Sequence, residues 1–166
     1  MTTFTFNENI DNIEAPKLLA EEWYGAEIAD QPALADSKST EGNKNLVVKL
    51  RLKSDVPEES GRVFTIYLPY PVPGDEEAYD GRGMKVSHAK MERIKGFCEA
   101  FTKCSCEGNE VTILPGGEGL VYVIQRLDQS GQEMRNDVDT FAGFKSPDAF
   151  DVESEISAGA GDTPFD

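Results

Sequence analysis

Positive charge is scarce in this sequence, and so is histidine, the side chain that most often serves in general acid–base catalysis. Among 166 residues, 16 are Lys or Arg and 31 are Asp or Glu, which gives a formal net charge of −15, and there is one His and one Trp. A basic nucleic-acid-binding domain carries the opposite balance, and so does a protein that binds an anionic membrane surface. Composition alone therefore favours neither class, while 39% hydrophobic and 28% charged residues are typical of a globular protein.

Long hydrophobic runs and an export signal are also missing. No apolar run approaches the roughly 20 residues that a membrane-spanning helix needs. The initial residues MTTFTFNEN have neither the charged nor the apolar region of a secretory signal. The three cysteines lie within nine residues, and an odd number of cysteines without such a signal predicts a reducing compartment. We therefore expect a soluble cytoplasmic protein.

The sequence lacks the common motifs of enzyme chemistry. It contains no Gly-x-Gly-x-x-Gly and no phosphate-binding loop with its lysine. The single histidine has no Ser or Cys partner at a recognised spacing. We therefore predict a non-enzymatic protein without catalytic residues or cofactors, and carboxylate-dependent nuclease chemistry stays open as a minor alternative.

Cysteine and histidine are also spaced unlike a typical zinc site. The cysteines follow a C-x5-C-x-C pattern, whereas zinc ligands usually come in C-x2-C pairs. Cys98 falls on the apolar stripe of a predicted helix, which favours a buried structural thiol. We expect no metal site and keep one weak alternative, a site formed by His88, Cys98, Cys104 and Cys106.

The sequence does contain a series of short alternating segments that predict β-strands. In LVVKLRLK (46–53) every second residue is apolar and faces one way, while Lys49, Arg51 and Lys53 face the other. Apolar residues at helical spacing predict one helix over 86–103. The other predicted strands span 22–30, 62–68, 120–127 and 137–145, and a long polar loop is predicted over 31–45.

The predicted order is three strands, one helix, two strands and a tail without periodicity. Five strands with a helix between the third and fourth is the order of the OB-fold barrel, a mainly β fold, although other small β-barrels and α+β sandwiches share parts of it. We therefore predict an OB-fold domain over 1–145 and a disordered acidic tail over 146–166. The tail has no base and six acids, Asp148, Asp151, Glu153, Glu155, Asp162 and Asp166.

Cations are concentrated on the predicted strand 46–53. Residues 44–53 hold four bases and no acid in a chain that is otherwise acidic. A sheet face with cations and aromatic rings can follow a phosphate backbone and stack on bases, and the alternative is an ordinary solvated face. The candidate DNA-binding residues are Trp23, Lys44, Lys49, Arg51, Lys53, Arg62, Tyr67, Tyr70 and Arg82.

The tail ends in the sequence DTPFD. An acidic tether that carries Pro-Phe is typical of a peptide whose ring enters a basic-rimmed pocket on a partner, and the alternative is a solubilising tail with a chance phenylalanine. The candidate partner-binding residues are Asp162, Pro164, Phe165 and Asp166.

The element order over about 20–145, the basic strand and the DTPFD ending together resemble phage-encoded single-stranded-DNA-binding proteins with one OB fold and an acidic C-terminal tail. In that family the tail normally ends at phenylalanine, whereas here Asp166 follows Phe165. The resemblance implies non-sequence-specific binding of single-stranded DNA during phage DNA replication, recombination and repair in the host cell cytoplasm. It also implies recruitment of replication or recombination proteins through the tail and no membrane partner, and it leaves homo-oligomerisation open.

Two other functions fit the same composition. The chain could serve as a phage virion or assembly protein, in which the sheet is a scaffold and the acidic tail faces solvent. It could also be an anti-defence protein that mimics the charge of DNA, for which a net charge of −15 would be the functional property. Binding to an oligothymidine strand at low salt separates the first reading from these two.

Overall fold

The computed structural model describes residues 1–14 and 17–148 of the chain. Within them the protein is mainly β, with nine strands, one α-helix and two 3-10 turns. The strands are β1 (Glu22–Ile28), β2 (Ala33–Asp36), β3 (Lys44–Lys53), β4 (Val63–Tyr70), β5 (Cys104–Glu107), β6 (Glu110–Ile113), β7 (Glu118–Leu127), β8 (Met134–Val138) and β9 (Phe144–Lys145); the helix is α1 (Val86–Ala100), and the turns are Ile10–Asn12 and Thr140–Ala142. No helix in these two ranges is long and apolar enough to cross a membrane.

Seven of the strands form one antiparallel sheet that curls into a half-barrel. β3 lies at its centre, with β4 along one edge and with β2 and β1 sharing the other edge. β1 continues the sheet to β7, which pairs with β8 and β9 along its far edge. The outermost strands β4 and β8 contact each other, but the described residues form no ladder between them. β5 and β6 form a separate hairpin.

The core lies on one face of this sheet, where helix α1 packs. The even-numbered residues of the C-terminal half of β3 are buried and its odd-numbered cations are exposed, as the alternation predicts. From the helix, Phe97 is fully buried, and its ring stacks on Phe101 with centroids 4.3 Å apart. Phe144 meets the Phe97 ring edge-on at 5.0 Å. The last strand of the sheet therefore closes over the helix.

The approach of β7 to the end of α1 requires a glycine. A Cβ built at Gly119 would lie 2.7 Å from Cδ1 of Phe101, closer than side-chain contacts normally allow. Because the Phe101 ring is itself buried against Phe97, it has little room to move away. Gly119 therefore sets how closely this strand packs on the helix.

Two segments form strands that the sequence does not predict. The region 31–45, predicted as a loop, contains β2 and the start of β3, and residues 104–113 form the hairpin β5–β6. β2 is exposed along its whole length, and the hairpin is exposed except at its two ends. These segments therefore lack the alternation of buried and exposed positions on which strand prediction depends.

The predicted fifth strand, 137–145, is interrupted instead of continuous. The carboxylate of Asp139 accepts hydrogen bonds from the backbone N–H groups of Phe141 (2.9 Å) and Ala142 (3.3 Å), which starts a 3-10 turn. Gly143 then adopts a positive φ of 80°, and the chain returns to β7 as β9. The helix also stops at Ala100 rather than at 103.

The predicted tail, 146–166, is described only as far as Asp148. Its candidate partner-binding residues lie outside the described residues, and their role stays a prediction. They are Asp162, Pro164, Phe165 and Asp166.

Candidate nucleic-acid interface

Strand register places five of the nine candidate DNA-binding residues on the outer face of the half-barrel, opposite the core. Residues that pair directly across neighbouring strands share a face. Lys49 pairs with Thr65 of β4, and Arg51 pairs with Val63 of β4 on one side and with Glu27 of β1 on the other. The five residues on this face are Trp23, Lys49, Arg51, Lys53 and Tyr67.

Two cations of β3 form ion pairs across the sheet. Nη1 of Arg51 lies 3.3 Å from Oε1 of Glu27, and Lys53 pairs with Glu118. The hydrogen bond to Glu118 raises the pKa of the Lys53 ammonium above its usual value. Such exposed pairs contribute little to folding stability, so the cations remain able to exchange a carboxylate for a phosphate. Among the described residues, Lys49 has no ion-pair partner.

The two aromatic rings of this face differ in how much of the ring is open. Trp23 is half-buried, because Nζ of Lys145 sits 4.5 Å from its ring centroid and Tyr122 meets it edge-on at 5.5 Å. Tyr67, in contrast, is 56% exposed. Tyr67 is therefore the ring on which a base can stack without first displacing a neighbour.

A polar groove of about 690 Å³ runs beside Tyr67, between β4 and the hairpin formed by β7 and β8. We call it the outer groove. Thr65 and Tyr67 line one wall. The other wall is lined by two arginines, two aspartates and a glutamine: Arg126, Arg135, Asp128, Asp137 and Gln129. The curl of the sheet creates this groove, because it brings β8 next to β4 without pairing the two strands.

Arg126 and Arg135 are further candidate residues of this face that the sequence pattern did not indicate. They pair directly across β7 and β8, so both point to the outer face. Arg126 forms an ion pair with Asp137, whereas Arg135 is exposed and has no ion-pair partner in the described part of the chain. The hairpin turn between residues 127 and 134 could have indicated them. When residues are paired outward from this turn, the two arginines lie opposite each other.

The outward strand positions of this face carry more cations than acids, although the chain is acidic. Across β1, β3, β4, β7, β8 and β9, the outward positions hold six cations and three acids. The cations are Lys49, Arg51, Lys53, Arg126, Arg135 and Lys145, and the acids are Glu27, Glu118 and Asp137.

Four candidate DNA-binding residues lie elsewhere. Lys44 and Tyr70 pair with each other, but their even positions turn them to the side of the sheet that carries the core. Arg62 donates a hydrogen bond to the carbonyl of Lys17, which ties the segment before β1 to β4. The structure therefore gives Arg62 an anchoring role and separates Lys44 and Tyr70 from the outer face.

Arg82 lies in the loop that precedes α1. Its guanidinium donates two hydrogen bonds of 3.2 Å to Oδ2 of Asp80 and lies 3.6 Å from Glu92. Hydrogen bonds from the backbone of Met84 and from Arg82 hold the pKa of Asp80 below its usual value, so this partner stays ionised. Arg82 is therefore neutralised locally and is not part of the outer face.

The weak metal alternative finds no support in the described residues. Cys98 is buried, Cys104 is half-buried, and Cys106 and His88 are exposed. Burial raises the pKa of the Cys98 thiol far above its usual value, and zinc binds the thiolate. Within 1–14 and 17–148, no three His, Cys, Asp or Glu side chains are grouped so that they could hold a metal ion.

Comparison with known proteins gives no assignment. No protein-family model matches the chain, and no curated protein matches it in sequence. Its function is therefore inferred from the residues of the outer face.

Proposed function

We propose that this protein binds single-stranded DNA on its outer face, without sequence preference and without catalysis. The observation that carries the proposal is the excess of cations over acids on this face in a chain of net charge −15. An acidic composition does not by itself produce a face with excess cations, and a phosphate backbone is a ligand that such a face suits.

The strand pairing supports an OB fold as the scaffold. β1, β3, β4, β7 and β8 are linked in the order in which an OB barrel links its five strands, with α1 between the third and fourth. The junction between β4 and β8 stays unpaired, which gives a half-open version. OB folds bind oligonucleotides on the face of their second and third strands, between two loops. Here β3 and β4 hold that place, and the β7–β8 turn borders it beside the outer groove.

Each residue type on the face has a separate role in this mode of binding. Lys49 and Arg135 contact phosphates directly, because neither has a carboxylate partner among the described residues. Arg51, Lys53 and Arg126 contribute by exchanging their carboxylates for phosphates. Tyr67 stacks on a base, and because every base has a π-face, this contact does not select a sequence.

The cellular role rests on the resemblance to phage single-stranded-DNA-binding proteins. We propose that the protein covers single strands during phage DNA replication, recombination or repair in the host cytoplasm. The segment that ends in DTPFD would recruit replication or recombination proteins. A pull-down of such proteins by the full chain, compared with a Phe165→Ala variant, tests this part separately from DNA binding.

Charge reversal tests the proposed face. Lys49→Glu with Arg135→Glu should abolish binding to oligothymidine at low salt, because it removes both unpaired cations and adds repulsion next to Tyr67. The matched control is Lys44→Glu with Lys95→Glu, which changes the net charge equally but lies away from the outer face. Equal loss of affinity in both variants would show that overall charge matters and that the face does not.

A further inference from the structure

Residues 1–14 form an arm whose large apolar side chains have no covering partner. Phe4 is 79% exposed and Phe6 is 67% exposed, and Ile10 and Ile13 are exposed to a similar degree. In an extended segment, residues two apart point the same way, so Phe4 and Phe6 can enter one site together. Residues 2–7 carry no charged side chain. An apolar segment of this kind needs a surface to cover it.

A large apolar groove lies at one end of the half-barrel, between α1, the β5–β6 hairpin and the ends of β3 and β4. We call it the α1 groove. Its volume is about 840 Å³. Its lining is mostly apolar and includes Leu46, Tyr70, Met84, Met91, Ile94 and Ile113.

The anchor of the arm and the α1 groove lie at opposite ends of the same strand pair. The arm is followed by Lys17, whose carbonyl binds Arg62 at the start of β4, and by Leu19, whose N–H donates to Oδ1 of Asn136 at 2.8 Å. The groove contains Tyr70, at the other end of β4. Eight residues of strand separate Arg62 from Tyr70, a distance of about 26 Å. The arm is therefore anchored at the end of the half-barrel that is away from its own groove.

We propose that the α1 groove of one copy binds the arm of a second copy through Phe4 and Phe6. The charged side chains on the groove lining are two acids, Glu92 and Glu110, and one base, Lys95. The excess of acid favours the uncharged residues 2–7 over the acidic segment 149–166 as the occupant. Because the donor arm and the acceptor groove are different surfaces, the contact is head-to-tail, and every open complex keeps a free arm at one end and a free groove at the other. Such contacts build open chains or rings rather than closed dimers. This inference does not depend on DNA binding.

Mixing two half-defective full-length variants tests the contact. One variant, Phe4→Asp with Phe6→Asp, keeps its groove and loses its arm. The other, Met91→Glu, keeps its arm and loses its groove; Met91 is 48% exposed, so the charge does not enter the core. In sedimentation without DNA, we expect the assembly mass of the wild type to increase with concentration beyond twice the monomer mass. Each variant alone should be a monomer. Their equimolar mixture should stop at twice the monomer mass.

Met134→Glu is the matched control, because Met134 is 45% exposed and lies outside the α1 groove. It should associate like the wild type. Thermal melts of all variants exclude unfolding as the cause of a change in mass. A wild type that is monomeric at every concentration would overturn the proposal. This is also the result expected if residues of the same chain fill the groove. Two monomeric variants that fail to associate when mixed would also overturn it, and so would association that neither variant reduces.

Discussion

Tyr67 and Tyr70 show how the position of a single residue in a strand decides which surface it joins. They are three residues apart in β4, an odd number, so their side chains leave opposite faces of the sheet. Tyr67 borders the outer groove, and Tyr70 lines the α1 groove. Both were predicted as DNA contacts, since both are aromatic and close in sequence, but only Tyr67 lies with the cations.

Replacing each tyrosine by alanine therefore has a different expected result. Tyr67→Ala should weaken binding to oligothymidine by about 5- to 150-fold, which corresponds to the roughly 1–3 kcal/mol that stacking of one base provides. Tyr70→Ala, at 41% exposure a comparable loss of ring surface, should leave the affinity within about twofold. Fluorescence anisotropy of a labelled strand measures both. Equal losses would contradict the assignment of the two faces.

At the scale of elements, strands could be predicted where one side of the segment is buried. The alternation of the eight residues 46–53 predicted both the core residues of β3 and its exposed cations. The outer groove could not be found in the same way. Arg126 and Tyr67 are 59 positions apart in the sequence, and the curl of the sheet, a property of all its strands together, brings them to one groove. β2 and the β5–β6 hairpin escaped prediction because burial does not mark them.

The contact between β7 and α1 gives a test of packing at this scale. Gly119→Ala should lower the free energy of unfolding by about 1–3 kcal/mol, because the new methyl group overlaps the buried Phe101 ring. Gly96→Ala is the matched control: nothing lies within 4 Å of its Cβ position in the middle of α1, and alanine should stabilise the helix by about 0.5–1 kcal/mol. Urea unfolding measures both. A Gly119→Ala variant as stable as the wild type would show that Phe101 can move.

At the scale of the whole molecule, the net charge of −15 opposes DNA binding, while the cations of the proposed DNA-binding face favour it. Each phosphate contact with a cation releases counterions, which lowers the logarithm of the affinity by about 0.7 per unit of log salt for single strands. If only Lys49 and Arg135 bind phosphates, the slope should be about −1.4, and if all six outer-face cations do, about −4.2. Titrations of oligothymidine over a salt series measure it. A slope near zero would contradict phosphate contacts on this face.

If DNA binds to the outer face as proposed, the ion pairs of Arg51 with Glu27 and of Lys53 with Glu118 shorten the time for which a DNA strand stays bound. When a phosphate replaces a dissolved anion, that anion diffuses away. When the phosphate replaces Glu27 or Glu118, the displaced carboxylate remains on the neighbouring β-strand. It therefore continues to compete with the phosphate for the cation. Each of these carboxylates is therefore a competitor of the phosphate that is part of the protein itself. In the proposed function, a layer of such molecules on single-stranded DNA would be displaced readily by an advancing enzyme, because a carboxylate takes the place of each phosphate contact as it breaks.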